Sequence, residues 1–120
     1  MSPFQMAGGV AVEEADKSLD LNSRIKNLIQ SSDVFLFMKG TPQMPMCGFS
    51  ANVVRMLDQL SVNYKSFNIL SDNEIREGVK AFSNWPTYPQ LYIKGELVGG
   101  SDIVTEMFQT GELKNLIVGQ

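Results

Sequence analysis

The sequence predicts an α/β fold in which a four-stranded mixed sheet carries helices on both faces. Three observations lead there. Val34-Phe35-Leu36-Phe37-Met38 is an unbroken apolar run of strand length, as a strand buried on both faces requires. Apolar residues at helical spacing precede and follow that run. Late in the chain, Lys94-Gly95 parts Leu91-Tyr92-Ile93 from Glu96-Leu97-Val98, a hairpin signal. A strand–helix–strand start implies a parallel pair joined by a right-handed crossover, and the hairpin adds antiparallel strands.

The elements follow in order. Residues 1–18 are weakly patterned and read as a tail, linker or remnant; residues 19–120 read as one domain. Leu21, Ile25, Leu28 and Ile29 form one stripe of an amphipathic helix. After the first strand, Lys39-Gly40-Thr41-Pro42 breaks the pattern. Phe49, Val53, Leu57 and Leu60 then recur at helical spacing, so a helix is expected over 48–60. Residues 64–70 read as the second strand. Ser71-Asp72-Asn73-Glu74 matches a capping box and starts a helix near 72 that runs to about 82. Asn84-Trp85-Pro86-Thr87-Tyr88-Pro89 is a proline-bound loop. Gly99-Gly100-Ser101-Asp102 opens a last helical region, from Ile103 to about Val118, broken at Gly111.

Composition narrows the function. Thirteen acidic against ten basic residues give a net charge of −3, and no Lys/Arg cluster would anchor nucleic acid phosphates. No apolar run is long enough to span a membrane. The chain holds one cysteine and no histidine, which excludes a disulfide scaffold, a Cys–His dyad and histidine-ligated metal sites. The start resembles neither a secretory signal nor an Arg-rich transit peptide. A reducing compartment is expected: the cytoplasm, with the nucleus also compatible and the mitochondrion less favoured.

The single cysteine, Cys47, stands where a loop gives way to a helix. The position three residues on, where a Cys-x-x-Cys site carries its second sulfur, holds Ser50. Free helix-start amides favour a thiolate, and Lys39 can add positive charge nearby. Gly48 lets a ligand approach the backbone. Taken alone, a lone cysteine is as often a buried small hydrophobe, and Ser50 is equally a plain first-turn residue. Flanked by Pro45 and Gly48 at a helix start, Cys47 is the candidate catalytic and metal-ligating residue.

Four motifs stand in order: Lys39-Gly40-Thr41-Pro42; Cys47-Gly48-Phe49-Ser50; Trp85-Pro86-Thr87-Tyr88-Pro89-Gln90-Leu91-Tyr92; and Gly99-Gly100-Ser101-Asp102-Ile103. Together, over residues 21–118, they resemble the signature set of the monothiol (CGFS-type) glutaredoxins. The finer details are most similar to the glutaredoxin modules of cytosolic, multidomain PICOT-like proteins. The resemblance implies a thioredoxin-like fold, glutathione binding and a role in iron–sulfur cluster handling. It implies a ligand set of Lys39, Cys47, Phe49, Arg76, Lys80, Thr87, Tyr88, Pro89, Gly100, Ser101 and Asp102, with Pro89 in the place of the family's cis-proline.

Glutathione carries two carboxylates and one amine, and the chemistry of that set suits it. Arg76 and Lys80 sit four apart on one helix face, fit for the glycine carboxylate, although an exposed basic face would look the same. Ser101 and Asp102 open a helix whose amides bind carboxylate, with the Asp side chain free to meet an ammonium; helix capping is the plainer role for both. Trp85 is equally a packing residue and a ligand contact. Some relatives carry a second cysteine where this chain has Ser101, so partner-disulfide chemistry there is absent.

Two functions follow as expectations. One is a carrier of a [2Fe–2S] cluster: four sulfurs are needed, each chain supplies one, and two glutathiones complete the set in a cluster-bridged homodimer that is a monomer when apo. BolA-like proteins and iron–sulfur clients are the partners the resemblance implies. The other is a glutathione-dependent monothiol disulfide oxidoreductase acting through Cys47, an activity generally weak in CGFS-type relatives.

Overall fold

A computed structural model describes residues 8–14 and 19–119. The main sheet has five strands in the order β1-β5-β2-β6-β7. At its centre lies β2 (Val34–Met38), whose five side chains are all buried, as the apolar run requires. It pairs parallel with β5 (Asn63–Asn68) and antiparallel with β6 (Gln90–Ile93), which continues through the expected hairpin to β7 (Glu96–Gly99). The fold is therefore the anticipated thioredoxin-like one, with one strand more than the four expected. That strand, β1 (Gly8–Ala11), comes from the stretch read as tail or linker and pairs parallel with the outer edge of β5. Residues 1–7 and 15–18 of the same stretch lie outside the described residues.

Alternation along β2 sends its side chains to opposite faces and divides the core in two. Val34, Leu36 and Met38 pack with α2 (Gly48–Gln59), α4 (Ser101–Thr110) and α5 (Glu112–Val118) through Val53, Leu57, Val104 and Leu113. Phe35 and Phe37 pack on the other face with α1 (Leu21–Gln30) and α3 (Asn73–Ser83) through Ile25, Ile29, Ile75 and Val79. At Gly111, φ is +88°, and the left-handed turn there separates α4 from α5, as the glycine predicts.

Two local expectations shift. Helix α3 starts at Asn73, not at a Ser71 capping box: the Asp72 carboxylate accepts the Ile75 amide at 3.1 Å and takes the N-cap itself. The Ser71 hydroxyl instead donates to the Asn68 carbonyl and closes a short 3₁₀ turn, Ile69–Ser71, after β5. Between β2 and α2 the chain forms a small hairpin of β3 (Gly40–Thr41) and β4 (Met44–Pro45), which carries it to Cys47. No helix among the described residues is long and apolar enough to cross a membrane.

Candidate functional site

The site lies beyond the carboxyl end of β2, where open sheets of this kind place their ligands. Lys39 directly follows the strand. Its amide donates to the hydroxyl of Ser50, which is completely buried, and so ties the strand to the first turn of α2. The Gly40 amide donates to Asn68 Oδ1, fixing the hairpin to the end of β5. Cys47 is the N-cap of α2 in extended conformation and is partly exposed, so its sulfur is accessible. Ser50 is thus more than a filler: at the place of a second thiol it holds together the two elements that present the first.

As a thiol Cys47 closes no capping hydrogen bond, but its surroundings favour the anion. The backbone amide of Ser50 lowers the thiol below its ordinary range, and the Phe49 amide, the Lys39 charge and the Ser50 hydroxyl add to the effect. Partial burial opposes them and does not prevail. A thiolate is the nucleophilic and metal-binding form of cysteine.

A cleft of about 450 Å³ opens at Cys47, within the range of small-molecule sites. It is lined by Lys39, Cys47, Phe49, Arg76, Lys80, Thr87, Tyr88, Pro89, Ser101 and Asp102, so the structure gathers nearly the whole set picked out from sequence. Gly100 is the exception. It lies behind the wall, where a Cβ would stand 3.3 Å from the Pro89 carbonyl oxygen and 3.6 Å from Trp85 Nε1. Its role is to let the start of α4 approach the proline loop. Pro86 lines the cleft in addition. Trp85 does not line it; its indole N–H is buried without a partner among the described residues.

Each wall has an identifiable support. The Tyr88–Pro89 peptide is cis, and the Tyr88 hydroxyl donates to the Arg76 carbonyl at 2.6 Å, joining the loop to α3. Gln90, fully buried, donates to the carbonyls of Trp85 and Thr87 and accepts from the Tyr92 hydroxyl. From the sequence Gln90 is read only within a motif and given no role; a polar residue heading an otherwise apolar strand is the available signal. At the far wall, α4 is capped by Gly100 with no side-chain capping bond. Ser101 and Asp102 therefore sit in the first turn without capping it, and among the described residues no side chain accepts from the helix-start amides.

The charges are arranged asymmetrically. Among the described residues no carboxylate lies within ion-pair distance of Lys39 or Arg76, and Lys80 meets only Glu77, an exposed pair at 3.1 Å of little energetic weight. The cleft thus offers cations on one side and a helix start with Asp102 on the other. That polarity matches an extended molecule with carboxylates at both ends and an amine at one. The described residues hold no group of three or more His, Cys, Asp or Glu fit to bind a metal.

Comparison with known proteins agrees with this geometry. The family model described as Glutaredoxin matches residues 34–98. The chain is 55% identical over 112 residues to Monothiol glutaredoxin-S11 of Oryza sativa subsp. japonica, covering 93% of this chain but only 22% of that relative. It is 49% identical over 98 residues to a ycf64-like monothiol glutaredoxin of Synechocystis sp., covering 82% of this chain and 92% of that one. The solution structure of reduced poplar apo GrxS14 superimposes with a TM-score of 0.73 at 44% identity, covering 82% of this chain and 91% of the other.

Proposed function

This chain belongs to the monothiol glutaredoxins, and on that footing we propose that it binds and passes on a [2Fe–2S] cluster held between two copies with glutathione. The observation that carries this reading is a single accessible, thiolate-favouring sulfur at the mouth of a cleft whose Lys39 and Arg76 meet no carboxylate among the described residues. The cluster is cargo, and its iron needs four thiolates. One chain offers one, and the described residues supply no alternative ligand cluster. A second copy and two glutathiones, the tripeptide the family binds, complete the set. Cations at Arg76 and Lys80 suit the glycine carboxylate, and the start of α4 suits the γ-glutamyl end. Ligands that dissociate make the cluster transferable, which suits iron–sulfur trafficking or iron homeostasis in the cytoplasm or nucleus. A BolA-like protein in place of the second copy, and client proteins that receive the cluster, belong to the same reading.

Anaerobic reconstitution with ferrous iron, sulfide and glutathione tests it. We expect a coloured species with visible absorption that sediments as a dimer, against an apo monomer. Cys47→Ser or omission of glutathione abolishes it. A cluster that survives either change overturns the proposal.

The lowered thiol also favours a second reading, glutathione-dependent disulfide exchange. The Cys47 thiolate attacks the glutathione sulfur of a mixed disulfide and releases the substrate thiolate, which takes up a proton. A second glutathione thiolate then attacks the Cys47-bound sulfur, giving glutathione disulfide and restoring the Cys47 thiolate. Brisk turnover of a small glutathionylated thiol ranks this reading first; sluggish turnover beside a stable cluster leaves the carrier in place.

A further inference from the structure

Helix α2, which presents Cys47, and helix α4, which opens the opposite wall, are joined by one amide side chain. Asn52, on the first turns of α2, donates from Nδ2 to Ser101 Oγ at 3.1 Å and to Thr105 Oγ1 at 3.0 Å. Its Oδ1 accepts from the Arg55 guanidinium at 2.7 Å. These contacts fix a direction. A guanidinium only donates, so Arg55 holds the oxygen of the Asn52 amide and leaves the NH₂ for α4. The Thr105 hydroxyl in turn donates to the Ser101 carbonyl at 2.7 Å, so its oxygen is free to accept from Asn52. A serine hydroxyl has one proton and two lone pairs. With a lone pair of Ser101 taken by Asn52, its proton is turned away from α2. Ser101 lines the cleft, where no acceptor among the described residues takes that proton, so it is left to solvent or to a bound ligand.

We propose that Asn52, oriented by Arg55, is a positioning residue that sets Ser101 as a hydrogen-bond donor toward the carboxylate at the γ-glutamyl end of the ligand. Asn52 and Arg55 line an adjoining, more open hollow that shares Cys47, Phe49, Ser101 and Asp102 with the cleft, and Asn52 reaches the cleft itself through Ser101. This inference rests on the glutathione reading above, and it adds specificity: the Arg55–Asn52–Ser101 relay rewards an acceptor at the α4 end and is indifferent to the Arg76–Lys80 end.

The test compares glutathione with cysteinylglycine, which lacks the γ-glutamyl group, by titration calorimetry on the apo protein. Asn52→Asp keeps the shape but accepts only, so it draws the Ser101 proton back toward α2. We expect roughly a tenfold weaker affinity for glutathione, the size of a hydrogen bond to a charged group, and unchanged binding of cysteinylglycine. Arg55→Met, at an exposed position that spares the fold, frees the amide to rotate and lowers glutathione affinity a few-fold in the same selective way. In a Ser101→Ala background neither change weakens binding further. Equal loss for both ligands, or loss that adds in full to that of Ser101→Ala, overturns the inference while leaving the glutathione reading intact. A parent protein that does not prefer glutathione over cysteinylglycine overturns both.

Discussion

Arg24, packed against the start of helix α3, and Arg76, on that helix, have opposite surroundings. Arg24 is 3% exposed and meets three carboxylates: Glu14 at 2.6 Å, Asp72 at 2.9 Å and Glu74 at 3.4 Å. Those partners come from the segment after β1 and from the N-cap and first turn of α3, so one α1 side chain pins three parts of the chain. Hydrogen bonding to Glu14 raises the guanidinium further above its ordinary range, against the cost of burial, and Asp72 adds to this. Arg76, half-buried on the next turn of α3, has no carboxylate beside it among the described residues and faces the cleft. Charge is saturated where it holds the fold and left open where a ligand must bring the counter-charge.

The contrast breaks most visibly at Arg24. Arg24→Leu takes this cation from Glu14, which is largely buried, and cuts the link between Glu14 and the N-cap of α3. Removing one member of such a network costs about 3–5 kcal/mol, far more than a surface pair. Urea unfolding is expected to register that loss, while glutathione affinity per folded molecule holds. Arg76→Met should do the reverse. Unfolding free energy stays within about 0.5 kcal/mol, and glutathione affinity falls about tenfold or more, because a charge-assisted bond to the ligand is lost. If Arg76→Met unfolds the domain and spares binding, the division of labour drawn here is wrong.

The two regions were also unequally legible in the sequence. The cleft could be read because its chemistry is concentrated in short motifs: Cys47-Gly48-Phe49-Ser50, Thr87-Tyr88-Pro89 and Ser101-Asp102 each contribute to one wall. The sheet centre could be read because five successive apolar residues have few other fates. Arg24 could not. It occupies the apolar stripe of α1 beside Ile25, and only the partners folded against it, 10 and about 50 residues away in the chain, explain a charge there. Strand β1 was silent for a different reason. Gly8-Gly9-Val10-Ala11 has little apolar patterning to betray a strand, and Val10 is 58% exposed. Gly9 has a reason to lack a side chain only once the fold exists: a Cβ there would stand 2.4 Å from the ring of Tyr64. Asn52 was hidden likewise, since its partners lie on a helix about 50 residues downstream.

The smallest expected effect concerns the open side of the contrast and its nearest reader, the thiol. Among the described residues Lys39 has no carboxylate partner and its charge is felt at Cys47, but it ranks below the Ser50 and Phe49 amides among the influences that favour the thiolate. Lys39→Met should therefore raise the midpoint of the pH profile for Cys47 alkylation only part of the way, leaving it below that of a free cysteine. Ser50→Ala, which removes the hydroxyl and keeps the amide, should raise it less. Added salt should narrow the gap between parent and Lys39→Met, because only the charge is screened. The same shift sets a stability profile. An acid with a depressed folded value stabilises the native state above its unfolded value, and that contribution is lost as pH falls through the folded value. Compared with Cys47→Ser, the parent should gain unfolding free energy as pH rises across that window. A Lys39→Met midpoint equal to that of free cysteine would mean that open charge, and not the helix start, makes this sulfur an anion.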